Sequence, residues 1–428
     1  QKLPPAHAMS VESGKVTTWP YWRAPDTVEE GRSEEWWAQE LRETLASAVR
    51  SQMMSEVPLG AFLSGGIDSS TVVALMAEAS SRPVKTFNIA FREGSYDESR
   101  YAREIASLFG TEHREETLSP DVAALFDRLV VHLDEPFADV SLFPTYLVSE
   151  VAARDVKVVL SGDGGDELFA GYDWYAADRL ARSLATFPGI AALRALERAS
   201  AWFPETTKKK GLVNKVKRFL AGASFPSPLQ HYRWLSHLGA EKKAELYSKR
   251  LRESLRSADA SAPVIAILGE ERNDLLNRQL HADFKLFLAD DILVKVDRMS
   301  MATSLEARAP FLDRNVIELA FRMPGSLKLR GYERKHILKR AMAGKLPARI
   351  LNRRKEGFSI PMKNWLRHEL QPLMESLLSR ERIEARGLFE WSAVERLLSE
   401  HAAGGKNHAH QLFPLMVFER WAQEFLAT

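Results

Sequence analysis

The sequence predicts an α/β fold, a doubly wound parallel sheet followed by a large C-terminal helical region. Three observations carry this. Between about residues 33 and 175, short apolar β-rich runs alternate with segments of helical spacing, the pattern of strands joined by crossover helices. Two of the runs end in glycine-rich loops, Ser64-Gly65-Gly66-Ile67-Asp68-Ser69-Ser70 and Ser161-Gly162-Asp163-Gly164-Gly165-Asp166-Glu167, and open α/β sheets bind ligands at the carboxyl ends of their strands. Beyond Tyr175, helical periodicity takes over and no strand of comparable strength follows.

Taken in order, residues 1–32 hold Pro4, Pro5, Pro20 and Pro25 with little periodicity, which reads as an extended linker. Trp19, Tyr21 and Trp22 are expected to anchor it against the body. Over residues 34–54, Trp37, Leu41, Leu45, Ala48 and Val49 recur at helical spacing. The first strand leads into Ser64, and a helix is expected over 69–79. A second strand over 84–90, a helix over 97–109 stopping at Gly110, and a polar third strand over 112–117 follow. Helices over 122–133 and 143–153 precede a β-branched central strand at 156–160. Residues 176–428 form the helical region, with helices over 180–200, 275–288, 316–322 and 370–378.

With 428 residues the chain is long enough for two packed regions. Its 59 basic and 57 acidic residues give a net charge of +2, which argues against nucleic acid or a membrane surface as the main partner. Lys208-Lys209-Lys210, with Lys215, Lys217 and Arg218, reads as a solvated basic face. The chain has no cysteine, so disulfides, thiolate metal sites and a cysteine nucleophile are excluded. No apolar run reaches the roughly 18 residues of a membrane span, and no signal pattern opens the chain, so a cytoplasmic protein is expected.

The chemistry sits in the loops. Gly65 and Gly66 let backbone N–H groups approach an anion, Ser64, Ser69 and Ser70 add hydroxyls, and a helix N-terminus follows. The loop lacks the Gly-Lys-Ser/Thr of the Walker motif. Asp68 beside such an anion makes sense as a Mg²⁺ ligand; a capped glycine turn is the plain alternative. In the second loop, Asp166 is a second candidate ligand and Asp163 a carboxylate near the reacting centre.

The first loop resembles the SGGxDSS loop of ATP pyrophosphatases, which split ATP into AMP and pyrophosphate. Asp290 to Asp313, Glu333-Arg334-Lys335-His336 and Arg353-Arg354-Lys355-Glu356-Gly357-Phe358 extend the likeness. Together the chain resembles the synthetase domain of glutamine-dependent asparagine synthetases, a family that includes β-lactam synthetases and lasso-peptide cyclases. The resemblance implies a sheet of ATP-pyrophosphatase type. It implies that Leu63, Ile89, Ser161 and Gly162 hold adenosine, that Ser64, Gly65, Gly66, Ser69 and Ser70 cradle pyrophosphate, and that Asp68 and Asp166 bind Mg²⁺. Lys335 and Lys355 match the lysines at the phosphates and reacting centre, and Asp163 the residue that deprotonates the incoming amine. Asp139, Glu167 and Arg308 are weaker candidates for gripping the acceptor.

The implied reaction adenylates a carboxylate, foremost the β-carboxylate of aspartate, and transfers it to ammonia. Another carboxylate, or an ATP-binding scaffold without catalysis, are the alternatives. The family's glutaminase half is expected to be absent from this chain, with Leu3-Pro4-Pro5-Ala6-His7 resembling the exit from it, and free ammonia to be used. A glutaminase domain or subunit and a second copy in a homodimer are the candidate partners beside small-molecule substrates.

Overall fold

The computed structural model describes residues 2–91, 98–118, 121–185, 189–200, 212–225, 229–236, 238–270, 274–358 and 360–426. The Lys208-Lys209-Lys210 run, the predicted helix start at Asp97 and the break in the predicted 180–200 helix lie outside these residues.

Short apolar runs become strands β3 (Leu59–Phe62), β4 (Lys85–Phe91) and β6 (Val158–Leu160), and the polar run becomes β5 (Glu112–Leu118). With β7 (Glu306–Arg308) they form a five-stranded sheet in the order β5-β4-β3-β6-β7, every pair parallel. The helices before and between them are α1 (Glu34–Gln52), α2 (Ile67–Ala79), α3 (Ser99–Leu108), α4 (Val122–Leu133) and α5 (Leu142–Ala153). After β6 come α6 (Gly165–Phe169) and α7 (Asp173–Leu184). Strand order reverses between β3 and β6, and a crevice opens outside the strand ends at such a reversal. Both glycine-rich loops leave the sheet there.

Local chemistry explains the boundaries. Ser33 caps α1 by accepting from the Trp36 N–H, and Asp121 caps α4 through Ala124. Gly110, at φ +59°, ends α3 as predicted; its N–H reaches the Ser107 carbonyl and that of Thr111 the Ala106 carbonyl, a Schellman pair that satisfies the last turn.

Each sheet face carries a core. Phe87, Ile89 and Val159 pack with Phe126, Phe143, Trp365 and Phe413 on one side. Ala61, Leu63 and Leu160 pack with Trp37, Val73, Phe169, Phe311 and Ile337 on the other, the alternation that a pleated strand imposes. Both cores join residues from before and after position 175: Phe143 meets Trp365 at 5.7 Å between ring centres, and Phe169 meets Phe311 at 6.1 Å.

Four expectations need correction. Residues 1–32 are not uniformly extended: β1 (His7–Glu12) and β2 (Lys15–Pro20) pair as an antiparallel hairpin. Its turn holds Ser13 and Gly14 at φ +48° and +79°, the double positive φ of a type I′ turn that matches strand twist. Of the three aromatic anchors only Trp22 serves, donating from Nε1 to Glu318 Oε1 at 3.0 Å, while Trp19 and Tyr21 are 43% and 70% exposed. The sheet also takes a strand from the helical region, β7, whose Glu-Ala-Arg sequence has no β preference. Pairing with β6 makes it a strand, a case of tertiary context overriding propensity. Finally, the predicted 275–288 helix runs on through 301, with wider π-helical turns over Asp283–Ile292.

Candidate active site

The first loop starts where β3 ends, with the Leu63 N–H on the Phe87 carbonyl at 2.9 Å. Ser64 and Ser69 hydroxyls meet at 3.1 Å, and Gly66 N–H reaches Ser64 Oγ at 3.3 Å, so the loop folds back over the start of α2. Gly65 stands at φ +68° against Tyr101, where a Cβ would come within 2.4 Å of backbone carbon; no other residue fits. In the second loop Ser161 N–H donates to the Arg308 carbonyl at 2.8 Å and Ser161 Oγ to Asp163 at 2.8 Å. A Cβ on Gly165 would lie 2.5 Å from Asp68 Oδ1. Glycine here lets the two loops touch, which brings Asp68 and Asp166 together.

Two lysines from the helical region close the cluster. Lys335 Nζ lies 2.5 Å from Asp68 Oδ2 and 2.5 Å from Asp166 Oδ1, and Lys355 pairs with Asp166 Oδ2. Lys335 has a left-handed backbone, φ +54°, costly for a lysine and of the kind that clusters at functional sites. Burial raises the Asp68 carboxyl against the pull of Lys335. Burial acts on Asp166 too, but Lys335 and Lys355 outweigh it and hold that carboxyl well below the carboxylate range. Lys355, disfavoured by burial, is held above the usual lysine range by Asp166 and Asp68. Burial and the Asp166 charge push Glu167 up to about 8, and its Oε1 accepts from Tyr172 OH at 2.5 Å.

These residues line one cavity of about 1040 Å³, together with Leu63, Ser64, Gly66, Ser69, Ser161, Gly162, Asp163 and Asp139. Four expected residues do not line it. Gly65 lies beneath the turn, and Ser70 is fully buried behind the loop. Ile89 is a core residue on the face of Phe126 and Phe143; Phe87 and Asn88 supply the wall instead. Arg308 turns away, with Nη1 on the Gln52 and Met54 carbonyls at 2.8 Å and Nε on Glu306 at 2.6 Å. It closes the C-terminal end of α1, and only its backbone supports the site.

Sequence reasoning assigned no role to three features. Lys295 Nζ donates to Asp139 Oδ2 and Ser141 Oγ, each at 2.7 Å. Arg353 ties the Lys355 segment to the Ser64 carbonyl at 3.3 Å and to Glu98 at 2.5 Å, with its guanidinium 3.9 Å from the Tyr101 ring centre. An aromatic wall is formed by Tyr172, stacked on Trp174 at 4.0 Å, with Phe287 edge-on to both at 5.8 Å. The charge-dense run around Lys295 and the Arg-Arg-Lys triplet were visible signals. For the wall, the aromatic run Tyr172-Asp173-Trp174-Tyr175 was visible, but Phe287 lies on a distant element and gave no sign of joining it.

The donor set suits a divalent cation. Asp68 Oδ1 is buried without a hydrogen-bond partner among the described residues, and Asp68 and Asp166 already hold the Lys335 ammonium between them. No group of three or more His, Asp or Glu side chains able to hold a metal occurs among those residues. Mg²⁺ asks for only one or two carboxylates when phosphates and water complete its shell.

A parallel sheet whose reversal point carries two glycine loops and a buried carboxylate–lysine cluster defines an α/β protein with a polar cleft at its strand ends. Comparison with known proteins sharpens this: the chain belongs to the asparagine synthase family, which it matches over residues 40–423. It is 30% identical to asparagine synthetase [glutamine-hydrolyzing] 1 of Bacillus subtilis, over 98% of this chain and 65% of that protein. It is 34% identical to a putative asparagine synthetase [glutamine-hydrolyzing] of Mycobacterium tuberculosis, over 90% of this chain and 58% of the relative. Amidase chyE of Penicillium rubens is 29% identical over 93% of this chain and 64% of the relative. The chain thus spans roughly three fifths of the length of these relatives. Among the described residues no helix is long and apolar enough to cross a membrane.

Proposed function

We propose that this chain is an ATP- and Mg²⁺-dependent carbon–nitrogen ligase that activates a carboxylate as its acyl-adenylate and passes the acyl group to ammonia. The observation that carries this is the convergence of Asp68, Asp166, Lys335 and Lys355 where the two loops touch. In the first step a carboxylate oxygen attacks the α-phosphorus of ATP, the bond to the β-phosphate breaks, and pyrophosphate leaves. Ser64, Gly66 and Ser69 cradle the departing anion, with backbone and hydroxyl donors at the α2 N-terminus. Mg²⁺ held by Asp68 and Asp166 would offset charge on the phosphates. Lys335 and Lys355 place two ammonium groups where charge builds, the preorganised stabilisation that lowers such barriers most.

In the second step ammonia attacks the acyl carbon, Asp163 takes a proton from nitrogen, and the bond from acyl carbon to phosphate oxygen breaks to release AMP. Lys355 stabilises the tetrahedral oxyanion. The acceptor closest to the family's name is the β-carboxylate of aspartate, giving asparagine. A glutaminase domain or subunit is the matching source of ammonia. The second reading, another carboxylate such as an acidic sugar or peptide, is favoured by the relative named an amidase. A catalytically silent scaffold would bind ATP and leave it intact.

The test is the product balance from ATP, Mg²⁺ and ammonium chloride with and without a carboxylate. Equal amounts of AMP and pyrophosphate, dependent on the carboxylate, support the ligase; ADP, or no turnover with any acid, overturns it. Glutamine in place of ammonium should support none with this chain alone.

A further inference from the structure

Of the three charged groups expected to grip the acceptor, Asp139 is shared by Lys295 and Ser141, Glu167 accepts from Tyr172, and Arg308 faces the other way. Lys215, Arg354 and Asp163 also line the cavity. Beside these charges the cavity offers aromatic surface. Tyr172, Trp174 and Phe287 are half-buried and line it, and Lys355 Nζ stands 5.7 Å from the Tyr172 ring centre, so the wall begins beside the proposed reacting centre.

The wall is held rigid from behind. Trp174 Nε1 donates to Asp283 Oδ2 at 3.0 Å and Tyr175 OH to the same oxygen at 2.5 Å. His231 joins Asp283 Oδ1, at 2.8 Å, to Asp178 Oδ2, at 2.9 Å, and Trp234 Nε1 and Gln279 Nε2 complete the Asp178 carboxylate at 2.5 and 2.7 Å. Asp178, His231 and Asp283 are buried. Burying such a network is costly unless every member is satisfied, and here it anchors the Trp174 indole, which also lines the cavity.

Building on the ligase reading, we propose that the acceptor is a carboxylic acid carrying a ring whose flat face packs on the Tyr172–Trp174–Phe287 wall, with its carboxylate directed to Lys355. Aromatic rings and the C–H face of a sugar both stack on indole, so aryl acids and uronic acids share the required chemistry.

The experiment measures pyrophosphate release from ATP, Mg²⁺ and ammonium with 3-phenylpropanoate, N-benzoyl-aspartate, glucuronate and aspartate as separate acceptors. A ring acid with kcat/KM at least tenfold above that of aspartate is expected, and the better of the aryl and uronic arms names the source. Phe287→Leu and Trp174→Leu should each raise KM for that acid about tenfold, with a much smaller change in KM for ATP. Phe287 carries no polar anchor, so its variant guards against a folding failure at Trp174. Aspartate turned over better than every ring acid overturns the inference and leaves the ligase standing. Variants that raise both KM values alike also overturn it, by making the wall structural. Release with no acid at all removes the ligase reading and the inference together.

Discussion

Lys335 and Lys355 lie in different segments of the helical region, yet both close on Asp166. Their removal should differ from that of an ordinary surface lysine. Lys355→Ala is expected to lower kcat by about 10²- to 10³-fold, the usual cost of losing one preorganised donor, with KM for ATP moving far less; steady-state kinetics would sink the assignment if kcat were unchanged. Asp68→Asn should raise the Mg²⁺ concentration needed for half-maximal turnover, and an unaltered Mg²⁺ dependence would remove Asp68 from the metal. Lys328 illustrates a different residue effect. It is fully buried, its Nζ donates to Asn277 Oδ1 at 2.7 Å, and burial lowers its pKa from 10.5 to about 7 despite Asp274. Between those values the unfolded chain holds more protons than the folded one. The penalty is therefore absent above about pH 10.5, grows as pH falls, and levels off below about 7. Lys328→Met should stabilise the protein more at pH 7 than at pH 9 in urea unfolding; a gain independent of pH would contradict it.

The strand-to-helix turns are where the elements do the chemical work. The 352–358 segment has no regular structure of its own and carries Lys355, so its position depends on what it is tied to. Arg353 reaches Ser64, Glu98 and Tyr101 at once. Arg353→Leu is expected to lower kcat about tenfold and make this segment more open to protease, while the unfolding temperature of the whole chain stays close to that of the parent. A large fall in unfolding temperature would mark Arg353 as structural. At the corner after α6, a Cβ on Gly171 would fall 1.8 Å from Asp166 Oδ1 and 2.1 Å from Lys335 Cε. Gly171→Ala should therefore cost activity by displacing the cluster itself.

At the scale of the molecule, the sheet and the helical region share their cores. Phe126 and Phe143 before residue 175 pack on Phe413 and Trp365 after it, and the edge strand β7 comes from residues 306–308. A fragment of residues 33–175 would expose one side of each core, several large aromatic faces at once. Such a fragment is expected to lack cooperative thermal unfolding in circular dichroism, whereas the whole chain shows it. A sharp transition in the fragment would mean that the sheet is complete without its partner.

The sequence by itself determined the parallel sheet, the two glycine loops at its strand ends, and the carboxylates and lysines of the cluster. Those features are written in contiguous residues: short apolar β-rich runs, glycine-rich loops at their ends, and short charged motifs. The N-terminal hairpin was also local, carried by Ser13-Gly14, but the nearby prolines mask it in a reading by composition. Only the tertiary structure decided that Glu306–Arg308 is a strand, that Ile89 and Arg308 face away from the cavity, and that Tyr172, Trp174 and Phe287 meet in one wall. The direction of a side chain and the pairing of an edge strand are set by whatever packs against them, and for β7, Arg308 and Phe287 those partners lie 100 or more positions away in the chain.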